Sequence, residues 1–193
     1  MIVEEKNNLY PIFLKVHQLN VLLIGAGNVG LEKLSFLLKS SPNAKVQIVA
    51  IDILPEVKSL AEKHHIKIIQ EAYKVSHLHN KDLVIVATDN NHVNIQAYND
   101  CKKQNLLVNV ADTPHLCDFY LGGIVTKGNV KIAISTNGKS PTTAKRLRQF
   151  FEEVIPEDIN ELVQNLNKYR KTIKGNFEEK VETLNKLTEG LIS

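Results

Sequence analysis

Five short apolar runs punctuate the first 110 residues: "NVLLI" (20–24), "KVQIVAI" (45–51), "IKII" (66–69), "DLVIVAT" (82–88) and "LLVNV" (106–110). Each has the length of a strand. Their apolarity is nearly continuous rather than alternating, which predicts strands buried on both faces of a parallel sheet. Between them apolar residues recur at helical spacing, as Leu31, Leu34, Leu37 and Leu38, and again as Val93, Ala97 and Cys101. Strand alternating with helix predicts a doubly wound α/β sheet of the Rossmann type.

The pattern changes after Asp112. "FYLGGIVT" and "NVKIAIST" read as two strands joined by the turn signal "KGN". A helix over "PTTAKRLRQFFEEV" follows, with Ser140 placed as its cap and Pro141 in its first turn. Beyond Pro156, residues 157–190 read as one or two polar helices with a stripe of Leu162, Leu166, Tyr169 and Ile173. The expected organisation is an α/β domain over 1–112, a small β-containing region over 113–147, and a helical domain over 148–193.

Gly25-Ala26-Gly27-Asn28-Val29-Gly30 fits G-x-G-x-x-G, and its place between a strand and a helix gives the match its weight. The first glycine permits the tight turn, the second admits a pyrophosphate to the backbone, and the third lets helix pack on strand. Ile51 and Asp52 close the second run, where a carboxylate accepts from both hydroxyls of a ribose and repels a 2′-phosphate. NAD is therefore the expected cofactor. Thr88 and Asp89 end the fourth run at the edge where ligands of such sheets bind, and Asp89 reads equally well as a helix cap.

With 43% hydrophobic and 23% charged residues the chain has the composition of an ordinary soluble globular protein. Its net charge of +3 is too small to argue for nucleic acid, but its distribution is uneven. From Phe119 to Phe151 there are six basic residues (Lys127, Lys131, Lys139, Lys145, Arg146, Arg148) and no acidic one, which leaves 18 basic against 21 acidic residues elsewhere. Such a patch fits an anionic ligand or a solvated helix face. The opening "MIVEEKNN" has no leader character and no run spans a bilayer, so a cytoplasmic protein without membrane contact is expected. Cys101 and Cys117 then read as free thiols. His64, His65, His77 and His79 form no ligand set, His77 and His79 lying in a loop without a nearby acidic partner, so no metal site is expected.

"YPIFLKVHQLNVLLIGAGNVG", "LVNVADTPHLCDFY" and "KIAISTNGKSPTTAKRLR", in that order, resemble the precorrin-2 dehydrogenase family of siroheme synthesis, which occurs alone or as the N-terminal part of siroheme synthases. The likeness runs from about Tyr10 to Pro156. It implies an NAD-binding domain over 1–112, a dimerisation and substrate-binding region over 113–147, and NAD-dependent oxidation of precorrin-2 to sirohydrochlorin by a homodimer, with the tetrapyrrole between the domains. In some relatives ferrous iron is inserted as well, so a bifunctional dehydrogenase and ferrochelatase is the alternative. Asp112 matches the aspartate of the family's "NVVD" motif and is the expected catalytic residue, able to take a proton as hydride leaves. Ser135, Thr136, Lys139, Ser140 and Arg146 are the expected substrate contacts, suited by charge and N–H groups to carboxylates. Two departures concern local shape: Gly122-Gly123 replaces a proline-containing pair, and Asn137 stands where glycine is common. A regulatory nucleotide-sensing module would share the glycine loop and Asp52 but leaves the basic stretch unexplained. A hydroxy-acid dehydrogenase would need a histidine and arginine after the Rossmann half; His115 with Arg146 is the pair worth naming, and their surroundings do not fit.

Overall fold

The apolar runs pair in parallel. In the computed structural model, which describes residues 7–191, β1 (Asn20–Ala26), β2 (Lys45–Ile53), β3 (Lys67–Ile69), β4 (Leu83–Val86) and β5 (Leu107–Val110) form one sheet in the order β3-β2-β1-β4-β5. The acidic opening lies mostly outside the described residues. Helices α1 (Asn28–Ser40), α2 (Pro55–Lys63) and α3 (Asn91–Lys103) connect the strands.

Successive residues of β1 serve opposite faces. Val21 and Leu23 pack with Leu34 and Leu38 of α1 and with Val57 and Ala61 of α2. Leu22 and Ile24 pack with Ala97 and Cys101 of α3 and with Val84, Val86, Val108 and Val110. A strand covered on both sides needs apolar residues at every position, which is why these runs do not alternate. Each fully buried leucine or isoleucine contributes about 1.5–3 kcal/mol relative to exposure.

β5 is an edge strand, and the chain covers it with its own next segment. The Asp118 N–H donates to the Val108 carbonyl (2.8 Å), the Val108 N–H donates to the Asp118 carboxylate (3.0 Å), and the Asn109 amide donates to the Phe119 carbonyl (2.8 Å). Lys102 pairs with the same carboxylate at 2.6 Å, and that bond raises the lysine pKa. These ties carry the first compact unit past Asp112, and the break between the two units falls between Leu121 and Gly122.

The second unit holds the hairpin and the C-terminal helices. β6 (Gly123–Lys127) and β7 (Val130–Ile134) pair antiparallel around Gly128, whose φ is +57°. α4 (Pro141–Val154) starts where Ser140 accepts from the Thr143 N–H at 3.2 Å, so serine and proline take the places their chemistry favours. α5 (Ile159–Thr172) follows, then α6 (Phe177–Thr188), which opens on an Asn176–Glu179 capping box. None of the three helices has a buried residue, and Leu147, Phe150, Val154, Phe177 and Leu187 are exposed. Leu162, Leu166 and Ile173 of the expected stripe are half-buried while Tyr169 is exposed. Among the described residues no helix is long and apolar enough to cross a membrane.

Candidate functional site

The glycine loop runs from the end of β1 into α1. Gly25 has φ +103°, and a Cβ there would overlap the Ala87 carbonyl oxygen at the end of β4. A Cβ at Gly30 would overlap the carbonyl of Gly25, so this glycine lets α1 close onto the loop. Gly27 differs: a Cβ placed on it would have nothing within 4 Å. It is the N-cap of α1, contributes no side-chain cap, and is followed by a first turn without acidic residues. Asn28 is exposed and Val29 packs against the core. Helix N–H groups that no side chain satisfies, beneath open space, suit an anion. Of the other helices, α3, α4 and α6 each open on a residue whose side chain accepts from their N–H groups, while α2 and α5, like α1, have no side-chain cap.

β2 shifts register beside this loop. Ile24 is opposite Val49, yet Ala26 is opposite Ile53, so β2 carries two extra residues there. This bulge leaves Ile51 63% exposed and Asp52 exposed. The Gln70 amide donates to the Ile51 carbonyl at 3.0 Å, tying the bulge to the end of β3.

At the end of β4 the Thr88 hydroxyl lies 2.5 Å from Oδ1 of Asn94, and the Asn94 amide donates to the Thr88 carbonyl at 3.0 Å. The cap of α3 is Asn90, which accepts from the N–H groups of His92 and Val93. Asp89, read above as an equally good cap, does not fill that role and stands exposed. Asn94 escaped the sequence reading, though one amide within an apolar face shared with Ala97 and Cys101 is a signal that could have found it.

After β5, Asp112 is exposed and adopts φ +56°. Aspartate tolerates this left-handed conformation better than most residues. The short turn at Pro114–Leu116 is entered through Thr113 without a side-chain cap, so Asp112 does not serve it. The glycine loop, Ile51 and Asp52, Thr88 and Asp89, and Asp112 thus lie at or just after the carboxyl ends of β1, β2, β4 and β5, on one edge of the sheet. The strand order reverses between β1 and β4, the switch point where such sheets bind ligands.

In the second unit the expected contacts are largely engaged in turns and caps. Ser135 accepts from the Asn137 N–H (3.2 Å), and Thr136 both accepts from the Ser140 N–H (3.2 Å) and donates to its carbonyl (3.1 Å). Ser140 Oγ also lies 2.7 Å from the Thr143 hydroxyl. Asn137 has φ +55°, a left-handed conformation that asparagine tolerates better than most residues. A Cβ at Gly122 would overlap the Ile134 carbonyl, which accounts for the first glycine of the Gly122-Gly123 pair. Lys139 and Arg146 are exposed, and Arg146 donates to the neutral Gln149 at 3.2 Å. His115 is exposed.

The histidine loop needs one correction. His77 has an acidic partner, since its Nε2 lies 2.8 Å from Glu71 while its Nδ1 accepts from the Lys74 N–H at 3.0 Å. The backbone donor assigns the proton to Nε2, so this ring locks a turn. Hydrogen bonds from Lys74 and then His77 hold the Glu71 carboxyl below its usual pKa. Among the described residues no three His, Cys, Asp or Glu side chains group to hold a metal.

A family model described as NAD(P)-binding matches residues 12–123, and one described as sirohaem biosynthesis protein central matches residues 127–153. A siroheme synthase of Pseudoalteromonas atlantica is 39% identical over 87% of this chain and 36% of its own length. One of Psychrobacter arcticus is 35% identical over 92% of this chain and 31% of its own. The chain belongs to the family that this NAD(P)-binding model describes. It spans about a third of the length of these curated relatives. A solved structure named SirC, precorrin-2 dehydrogenase, shares the fold with a TM-score of 0.77 over 93% of this chain and 89% of that one, at 21% identity. The NAD(P)-binding match covers the glycine loop, Asp52, Thr88 and Asp112, so a nicotinamide dinucleotide is the cofactor of the first unit. The sirohaem match spans β7 and most of α4, including Ser135 to Arg146.

Proposed function

We propose that this chain uses NAD to oxidise precorrin-2 to sirohydrochlorin. The observation that carries the reading is the uncapped start of α1 beneath the open face of Gly27, on the same sheet edge as an exposed Asp112 in a siroheme synthase relative. The N–H groups of α1 would hold the pyrophosphate and Asp52 the ribose hydroxyls. An exposed carboxylate on the β2 bulge supports NAD over NADP, because a 2′-phosphate beside it would be repelled. Bound there, the nicotinamide supplies the hydride acceptor.

Forming the new double bond removes one hydride and one proton from the macrocycle. Asp112 is the proposed acceptor of that proton, and its charge stabilises the cation left when hydride departs. Lys139 and Arg146, with the N–H groups around Ser135, Thr136 and Ser140, are the proposed partners of the substrate's carboxylates. The exposed apolar residues of α4, α5 and α6 support burial against a second copy, hence a homodimer. Cytoplasmic residence belongs to the same proposal.

The test is direct. Mixing the protein with NAD and enzymatically made precorrin-2 should raise absorbance at the NADH band, with no rise when the protein is left out. Equal rates with and without protein would overturn the reading.

A further inference from the structure

α3 turns one polar side chain inward. Asn94 is 9% exposed, and its neighbours on that face, Ala97 and Cys101, are fully buried. Both ends of its amide go to one residue: Nδ2 donates to the Thr88 carbonyl (3.0 Å), and Oδ1 accepts from the Thr88 hydroxyl (2.5 Å). A threonine hydroxyl has a single proton, and Oδ1 at 2.5 Å is a much nearer acceptor than the Asn90 carbonyl at 3.2 Å, so the bond to Asn94 takes it. The same oxygen accepts from the Asn90 N–H at 3.2 Å. The hydroxyl is therefore engaged by α3 and its cap. At this point of the sheet edge the protein presents the peptide backbone.

That backbone has a defined neighbour. Ala87 donates its N–H to Ile24 at 2.7 Å, and its carbonyl stands where a Cβ on Gly25 would go. Asn94 thus grips the residue directly after the one on which the glycine loop rests. An apolar side chain at position 94 would anchor α3 without the cost of desolvating an amide. The amide is explained by what it holds.

We propose that Asn94 is a positioning residue for the nicotinamide cofactor. Its amide clamps Thr88, so that the Ala87–Asp89 backbone borders the crevice in one fixed orientation. The inference rests on the assignment of that crevice to the cofactor and adds a residue that does not touch it.

Replacing both partners of a buried hydrogen bond with apolar groups of similar shape is nearly neutral for stability, whereas removing one strands the other. This separates anchoring from positioning. The full chain, Asn94→Leu and the double variant Thr88→Val with Asn94→Leu are titrated with NADH, and the nucleotide's own emission is read without indole background because the chain has no tryptophan. Thermal unfolding is followed in parallel. The double variant removes the side-chain pair but leaves the Thr88 backbone carbonyl and the Asn90 N–H without these partners. It should unfold at a lower temperature yet stay folded in the binding assay and bind NADH about tenfold more weakly, the loss expected for a hydrogen-bonded clamp. Thr88→Ser, which keeps the hydroxyl, should bind more tightly than Thr88→Val. A folded double variant with unchanged affinity overturns the inference. If that happens while Gly27→Ala and Asp52→Ala do weaken binding, the cofactor assignment survives and only the role of Asn94 falls. If the unchanged chain binds no NADH, the assignment fails and this inference with it.

Discussion

Gly25 and Ala87 approach so closely where the strand order reverses that a Cβ on the glycine would overlap the alanine's carbonyl oxygen. At φ +103° Gly25 also lies in a region that L side chains avoid. Gly25→Ala should therefore lose about 2–4 kcal/mol of stability in urea denaturation. Gly27 has an ordinary φ of −83° and open space where a Cβ would go. Gly27→Ala should change unfolding far less than Gly25→Ala while weakening NADH, because its methyl would occupy the place proposed for the pyrophosphate. Unaltered NADH affinity in Gly27→Ala would remove the loop from the site.

The backbone at Asp112 dictates which substitution tests its chemistry. At φ +56° an alanine would add strain, whereas asparagine tolerates the conformation and keeps the shape. Asp112→Asn should retain NADH affinity and unfolding temperature and lose NADH production from precorrin-2. Turnover near the unchanged rate would remove Asp112 from proton transfer.

Asp52 stands on a bulge and leaves β2 for solvent. Asp52→Ala should weaken NADH by about 1–3 kcal/mol, the range for hydrogen bonds to a charged acceptor. NADPH should lose less or gain, since the repulsion disappears along with the bonds. The ratio of the two dissociation constants checks this, and a ratio equal to that of the unchanged chain would place the ribose elsewhere.

What sequence reveals and what it hides divides along range. The strands of the sheet were legible because burial on two faces makes each run apolar, and the roles of Gly25 and Gly30 were legible because they follow from local backbone geometry. Asn137 was legible for the same reason. The Asn94–Thr88 clamp was not, because it depends on how α3 lies against the end of β4. Choosing Asn90 over Asp89 as the cap required the helix start to within one residue. Glu71 reaching His77 and residues 117–119 covering β5 are loop pairings that no periodicity encodes. Bulging of β2 at Ile51–Asp52 was hidden too, since a bulge is a relation between two strands.

Cys101 gives the fold an alkaline signature. It is fully buried. Burial, and then the Asp100 and Asp118 carboxylates, push the thiol from 9.0 up to about 12. Between those values the unfolded chain has lost a proton that the folded chain retains, so rising pH favours unfolding. This thiol's contribution is constant below pH 9.0 and falls by about 1.4 kcal/mol per pH unit above it. Cys101→Ala should be less stable at neutral pH but lose less on alkalinisation. Parallel urea curves for the two proteins at every pH would refute the buried thiol as the cause.

The six basic residues of the acid-free stretch do not all face the same task. Lys127 pairs with Glu157, and Arg148 bonds Glu152 at 2.5 Å while its stem packs toward Gly123 of β6. Those two cations are absorbed by carboxylates from beyond the stretch. Arg146, exposed and bonded to the neutral Gln149, keeps its charge uncompensated by that partner. Arg146→Glu should therefore leave the unfolding temperature almost in place and raise KM for the tetrapyrrole, more at low ionic strength than at high, because salt screens exposed charges. Arg148→Glu should lower the unfolding temperature instead, by setting two carboxylates side by side and stripping a packed stem from β6. If Arg146→Glu shifts only stability and leaves KM unchanged at every salt concentration, the positive charge of α4 faces solvent and the substrate's carboxylates are met elsewhere.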